Sequence, residues 1–294
     1  MKNDIAHIVW RKCRKCIQDF KGRQTMKKID RIDALSSLGN DKEEEIIVSL
    51  TTIPSRLDTI YYTIKSIFLQ TLRPDKMILY LGSDVPLNML PKELDSFTKI
   101  GLEIVSIPEN IRAHKKYFYA MKEHPKAIII TVDDDLIYPN FLIQKLYDTY
   151  NKYPECVITA RAHRIKFDDN GNVVPYNKFA WEVEDVGVPS SSLIATGCAG
   201  VLYPPGCIDE KYLNIDLITN LSLGADDIYL KFIEMASDRK IVLSNVESWK
   251  ITSEIVGSQE IALSKDNVDD SKNDLYIKNC MKYFNFRMED FIDE

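Results

Sequence analysis

Three consecutive acids, Asp133-Asp134-Asp135, stand between the apolar run Ile128-Ile-Ile-Thr-Val132 and Leu136-Ile-Tyr-Pro139. Carboxylates on adjacent residues repel unless a cation or a hydrogen-bonding ligand compensates them. A hard divalent ion, held by one or two carboxylates together with ligand phosphates, is one compensator. The alternative is a solvated turn that caps the following helix. In an extended chain, alternation sends Asp133 and Asp135 to one side and Asp134 to the other. A second acidic pair, Asp226-Asp227, opens a helical pattern, where the helix dipole favours acids in any case. Cations gather in Asn110-Ile-Arg-Ala-His-Lys-Lys116 at the start of another helix. With the helix N-terminus they suit an anion such as a diphosphate, Lys115 and Lys116 ahead of His114; the alternative is a solvated helix face.

Elements with a regular rhythm must position these groups. Ile46–Leu50, Met77–Leu81, Leu102–Ile107, Ala127–Val132 and Cys156–Ala160 read as strands. Leu57–Leu69, His114–Glu123 and a segment from Pro139 to about Tyr153 carry helical spacing. Strands spaced by helices predict an α/β fold, a Rossmann-like, mostly parallel sheet with helices on both faces. Ligands of such sheets bind outside the carboxyl ends of the strands, and the acid triplet follows a strand directly. After Arg161 the rhythm breaks: Phe167–Val174 reads as a hairpin turn, and Thr196-Gly197-Cys198-Ala199-Gly200 as a loop of small residues. A helix from about Asp226, a strand at Ile241–Leu243 and a last helix near Tyr276–Phe284 follow.

The 294 residues, 45% of them hydrophobic, suffice for one large domain with appendages. We divide them into a basic helical extension (1–44), a catalytic domain (45–264, with halves 45–160 and 161–264) and a helical tail (265–294). A net charge of −6 argues weakly against a nucleic-acid partner. Six scattered cysteines read as reduced thiols, and Cys13-x-x-Cys16, without a second pair, is a weak sign of zinc. Residues 1–34 hold ten Lys/Arg against four acids, with Ile5, Ile8, Val9, Cys13, Ile17 and Phe20 at helical spacing. This basic amphipathic helix either docks on protein or touches anionic lipid headgroups. With no signal peptide and no apolar stretch of membrane-spanning length, the expected location is cytoplasmic, with peripheral contact at the inner face of the membrane.

The chain resembles the glycosyltransferases of the A-type fold, particularly the family-2-like enzymes of bacterial capsule and surface-polysaccharide synthesis. The resemblance rests on Val48-Ser-Leu-Thr-Thr-Ile-Pro-Ser-Arg56, Ser66-Ile-Phe-Leu-Gln-Thr71, Ile129-Ile-Thr-Val-Asp-Asp-Asp135 with Tyr138-Pro139, and Gly224-Ala-Asp-Asp-Ile-Tyr-Leu230, in that order. It implies a nucleotide-sugar donor, UDP-linked by preference, in the first half and an oligosaccharide or lipid-linked glycan acceptor mainly in the second. Asp133-Asp134-Asp135 then corresponds to the Asp-x-Asp motif, with Asp135 as first-ranked and Asp133 as second ligand of Mn2+ or Mg2+. Thr51, Thr52, Ile53 and Pro54 begin the base-and-ribose pocket, with Arg56 reaching a phosphate and Ser55 capping the helix. Lys115, Lys116, Asp133 and Asp134 join the donor site. Asp227 is the expected base of an inverting transfer, taking the proton of the attacking hydroxyl, and Asp226 orients it or holds the acceptor. Gly197, Cys198, Ala199 and Gly200 give close backbone approach to the donor sugar or acceptor. One departure matters: His7, His114, His124 and His163 all precede the position where many such enzymes supply a C-terminal histidine to the metal. A ligand from the Ser244–Asn267 region, or phosphate and water, takes that place.

Other classes fit less well. A sugar-phosphate nucleotidyltransferase shares the plan but needs a glycine-rich loop after the first strand, and Thr51-Thr-Ile-Pro-Ser-Arg56 has no glycine. A dehydrogenase lacks its G-x-G-x-x-G there. A glycoside hydrolase uses paired carboxylates but needs no nucleotide pocket. A non-catalytic nucleotide-sugar-binding protein is a further alternative, against which the presence of both acid clusters counts.

Overall fold

The computed structural model describes residues 2–33, 35–246, 252–258 and 272–293, with side chains from residue 15 onward. Its centre is a seven-stranded sheet of β1 (Ile46–Thr51), β2 (Lys76–Leu81), β3 (Leu102–Ser106), β4 (Ile128–Thr131), β6 (Val157–Thr159), β9 (Val201–Tyr203) and β10 (Ile241–Leu243). The order is β10-β6-β9-β4-β1-β2-β3. All neighbours run parallel except at β9, which is antiparallel to both β4 and β6. The mostly parallel α/β sheet expected from the sequence is the one that forms.

Side-chain alternation explains why helices cover both faces. On β1, Ile46, Val48 and Leu50 point to one face, where α2 (Ile60–Phe68) and α5 (Leu142–Tyr150) bury Ile60, Ile64, Ile67, Leu142, Ile143 and Leu146 against them. Ile47 points the other way, under α4 (Lys115–Glu123), α6 (Ile215–Ser222) and α7 (Asp226–Ala236), with Tyr117, Phe118, Ile228, Tyr229 and Phe232. Burying each such side chain contributes about 1.5–3 kcal/mol, so the two layers fix the strand register and with it the strand ends. A short α3 (Leu94–Thr98) lies between β2 and β3, and α8 (Lys272–Phe284) packs on the second layer through Ile277 and Cys280.

Two small sheets flank the main one. β5 (Leu136–Ile137) pairs antiparallel with β11 (Ser253–Glu254), and β7 (Ala162–Arg164) with β8 (Leu193–Ala195). The first of these anchors the long α1 (Lys2–Asp30). Ile29 and Met26 pack with Ile137, Ile255 and Tyr62, and Thr25 Oγ1 lies 3.0 Å from Ser253 Oγ. The C-terminal part of the basic helix therefore docks on its own protein, while Ile17 and Phe20 remain 57% and 62% exposed. Among the described residues no helix is long and apolar enough to cross a membrane.

Candidate active site

Chain order reverses between β1 and β4: β2 and β3 extend one side of the sheet, and the later strands extend the other. Such a switch point opens a crevice at the carboxyl ends of its strands. A cavity of about 570 Å³ lies there. β1 ends on Thr51 and leads through Thr52 and Ile53 into a 3-10 turn, Pro54–Arg56. β4 leads into the acid triplet. Thr51, Thr52, Ile53, Arg56, Lys115, Lys116, Asp133, Asp134, Cys198, Asp226 and Asp227 all line the cavity. Pro54, Asp135, Gly197, Ala199 and Gly200 do not form its wall.

The triplet does not stay extended. Asp134 and Asp135 form a turn that feeds β5, so the alternation expected from the sequence is replaced by a fold-back in which one cation serves two acids. Arg56 donates from Nη1 to Asp134 Oδ1 and brings Nη2 to 3.0 Å from Asp135 Oδ2. Thr52 Oγ1 donates to Asp134 Oδ2 at 2.6 Å. Burial pushes the Asp134 carboxyl up although Arg56 opposes it, whereas Arg56 is held above its ordinary range because these acids outweigh its own burial. Donors on both carboxylate oxygens fit an ionised Asp134, and we read the contact as an ion pair. Arg56 Nε donates to Ser258 O at 3.1 Å, so the guanidinium expected to meet a phosphate is already engaged with protein. Ser55 caps nothing: the residue before α2 is Thr59, whose hydroxyl turns back to Arg56 O.

Lys116 is the second compensating cation. It is buried at the start of α4, not solvated, and its Nζ lies 2.6 Å from Asp133 Oδ1 and 2.9 Å from Asp226 Oδ2. The Asp226 contact is an ion pair off the line of a hydrogen bond, which leaves that buried oxygen without a donor. Burial opposes the ammonium charge, but Asp133, Asp226 and Asp227 outweigh it and hold Lys116 well above its usual range. Lys115, also buried, donates to Asn110 Oδ1 at 2.8 Å, and burial lowers its pKa. His114 is structural. Its ring nitrogens meet Tyr117 Oη at 2.8 Å and Ser222 O at 2.9 Å, and burial lowers it to about 4, which keeps it neutral.

The acid pair at the start of α7 divides its charge unequally. Burial opposes ionisation of Asp226, but the Lys116 ammonium lowers it below the ordinary carboxylate value. Burial, and then the charge of Asp226, push Asp227 up to about 8. Asp227 Oδ1 accepts from Gly197 N–H at 3.0 Å. A Cβ on Gly197 would come within 2.9 Å of that carboxylate oxygen and 3.0 Å of Lys116 Nζ, so the glycine permits close approach to protein groups. Gly200, at φ 97°, turns the loop against Leu142. Tyr138 Oη joins this loop to the triplet by donating to Cys198 O and accepting from Asp133 N–H. Arg161 donates to Cys198 Sγ, and burial pushes that thiol up to about 11.

Sequence reasoning missed much of the far wall: Arg161, His163, Tyr176, Trp181 and Asn273 line the same cavity, as does Asp84 on the first half. The one available signal was the aromatic spacing of Tyr176-Asn-Lys-Phe-Ala-Trp181, which lies in a segment without regular periodicity. Among the described residues no group of three or more His, Cys, Asp or Glu converges as a ready-made metal cage. Asp133, a hard oxygen donor on the cavity wall with 31% of its side chain exposed, fits an ion that takes its other ligands from phosphate and water. Residues 247–251 and 259–271, where a further ligand was expected, lie outside the described residues.

No family model matches the chain, and no curated protein matches it. Among solved structures it is similar to glucosyl-3-phosphoglycerate synthase from Mycobacterium tuberculosis in complex with Mn2+, UDP and glucosyl-3-phosphoglycerate. That match has 15% identity over 43% of this chain and 51% of that one, with TM-score 0.32. A mannosyltransferase from Pyrobaculum calidifontis in complex with GDP-Man and Mn2+ matches at 11% identity over 78% and 64%, with TM-score 0.46. A 4-diphosphocytidyl-2C-methyl-D-erythritol synthase matches at 10% over 70% and 91%, with TM-score 0.40. The chain spans about half the length of the mycobacterial synthase. At these scores the functional reading stands on the site itself.

Proposed function

We propose that the chain is a metal-assisted, inverting glycosyltransferase that moves a sugar from a nucleotide-sugar, UDP-linked by preference, to a glycan or lipid-linked acceptor in bacterial surface-polysaccharide synthesis. The observation that carries this reading is Lys116 Nζ, which lies 2.6 Å from Asp133 and 2.9 Å from Asp226 and so unites the two acid clusters in one cavity. The motif resemblance at both clusters supports the same reading. Residues 45–160 would take the donor and residues 161–264 the acceptor. The nucleoside end would be lined by Thr51, Thr52 and Ile53; Asp84, Asn110 and Lys115 line the same cavity.

Asp133 would be the first metal ligand. Asp135, ranked ahead of it on the sequence, is paired with Arg56 and would contribute second. Mn2+ or Mg2+ held there with the diphosphate would neutralise charge on the leaving nucleoside diphosphate. In transfer, an acceptor oxygen forms the new bond to the anomeric carbon as the bond from that carbon to the diphosphate oxygen breaks. The diphosphate keeps the bonding electrons, and the hydroxyl proton passes to Asp227. A carboxylate raised to about 8 is a stronger base than an ordinary aspartate while remaining partly ionised near neutrality. Asp226 and Lys116 would position it, and Gly197 N–H would hold one of its oxygens. The exposed Ile17 and Phe20 on basic α1 support a cytoplasmic enzyme in peripheral contact with the inner membrane face. A screen of nucleotide-sugars for metal-dependent hydrolysis or transfer, with the product's anomeric configuration read by NMR, tests the proposal. Absence of turnover with every donor, and of any thermal shift with UDP or GDP and Mn2+, overturns it.

A further inference from the structure

One part of the cavity wall is aromatic, formed by Tyr176 and Trp181. Trp181 stands 44% exposed at its mouth, yet its ring is held. The indole lies 4.6 Å from the His163 ring, tilted by 34°, and Tyr176 meets it edge-on at 5.7 Å. The next residue, Glu182, adopts φ 53°, a left-handed conformation that costs a non-glycine residue about 1 kcal/mol or more. Two contacts hold it there: its N–H donates to His163 Nδ1 at 3.0 Å, and its carboxylate pairs with Arg161 Nη2 at 2.9 Å. Arg161 in turn donates to Cys198, in the loop whose Gly197 holds Asp227. Burial lowers His163 to about 4, so a neutral ring backs the indole. A second observation points independently to a ligand: Asn273, only 6% exposed, lines this cavity with its amide oxygen buried and lacking any hydrogen-bond partner.

A held aromatic ring, an unsatisfied acceptor and a carboxylate that line one cavity match one kind of substrate. A pyranose presents a face of C–H bonds, polarised by the ring oxygens, to the negative face of an indole, and hydroxyls at its rim. A phosphorylated acid or a peptide amine has no use for such a face. Resting on the transferase reading, we propose that Trp181 is the platform for a pyranose ring of the acceptor, with a rim hydroxyl donating to Asn273 Oδ1 and the attacking hydroxyl directed at Asp227. Trp181 thus selects a carbohydrate acceptor.

The test uses full-length protein with saturating UDP and Mn2+. Binding of the methyl pyranosides of glucose, galactose, N-acetylglucosamine and rhamnose is followed by saturation-transfer NMR, beside 3-phosphoglycerate as a phosphorylated, ringless control. Wild-type protein is expected to bind at least one pyranoside. Trp181→Ala should weaken that binding about tenfold or more, Trp181→Phe should retain most of it, and Asn273→Ala should weaken it less. The thermal shift produced by UDP and Mn2+ should be the same in all four proteins, which also reports that the variants fold. Pyranoside binding unaffected by Trp181→Ala, binding of 3-phosphoglycerate alone, or no pyranoside binding by nucleotide-loaded wild type each overturns the proposal. A wild type that binds a pyranoside through Trp181 but shows no shift with UDP or GDP keeps the platform and overturns the nucleotide-sugar reading instead.

Discussion

Replacing Lys116 by Met removes the ammonium that both Asp133 and Asp226 approach, at 2.6 and 2.9 Å, and leaves the apolar stem in place. Breaking a buried ion pair by deleting one partner costs about 3–5 kcal/mol because the remaining charge is stranded. Here the acids can respond by binding a proton. Lys116 lowers both Asp226 and Asp227, so its loss raises both. A carboxylate raised in the folded state stabilises the fold fully below its unfolded pKa, near 3.9, and that contribution is lost as pH rises through the folded value. The deficit of Lys116→Met should therefore be smallest at pH 4 and grow toward pH 8. At neutrality it should reach about 3–5 kcal/mol, a fall of roughly 6–15 °C in Tm at about 2–3 °C per kcal/mol. Calorimetric melts from pH 4 to pH 8, with Lys116→Arg as a charge-retaining control, measure it. A variant whose melting temperature tracks the wild type across that range would show that Lys116 does not carry the charge balance of the site.

The wild-type rate should follow ionisation of Asp227. In the free enzyme, kcat/KM for transfer should rise about tenfold per pH unit below the raised pKa of about 8 and level above it. Asp227→Asn should abolish transfer while leaving the thermal shift with UDP and Mn2+ near the wild-type value, and wild-type-like transfer by that variant would remove Asp227 from the role of base. For the metal, Asp133→Ala should weaken Mn2+-dependent stabilisation by UDP more than Asp135→Ala does, because Asp133 is on the cavity wall and Asp135 is paired with Arg56. The reverse order in a Mn2+ titration followed by Tm would restore Asp135 to first place.

The sheet was legible because its central parallel strands are buried on both faces and read as mostly apolar runs. Ile46–Leu50 and Met77–Leu81 are such runs, and the intervening Ile60, Ile64, Ile67 and Phe68 carry a helix period. The strands the sequence hid are short or partner distant segments. β5 has two residues and owes its existence to β11, more than a hundred residues later, while β7 and β8 pair across the aromatic loop. No local periodicity signals a two-residue strand, because its stability comes from a partner that sequence spacing does not identify.

The site shows the same division between what residue type reveals and what only packing decides. Acids at a strand end and at a helix start announced two halves of a polar centre. Which cation met which acid depended on a turn at Asp134–Asp135 that periodicity could not forecast, and on β11 holding that turn through Ile255 N–H to Asp135 O at 2.9 Å. The turn sorts the three acids by environment. Arg56 and Thr52 hold Asp134, Arg56 also pairs with Asp135, and Asp133 faces the cavity and Lys116. Three acids at a buried strand end are therefore sustained by two cations from separate elements, and that sorting leaves Asp133, paired with Lys116 but with 31% of its side chain exposed, as the member most open to the cavity. Because α1 packs on the same β5–β11 pair, through Thr25 at Ser253 and Ile29 beside Ile137 and Ile255, the basic N-terminal helix buttresses the acid turn from behind. Its docking is thus part of what holds Asp133 in position.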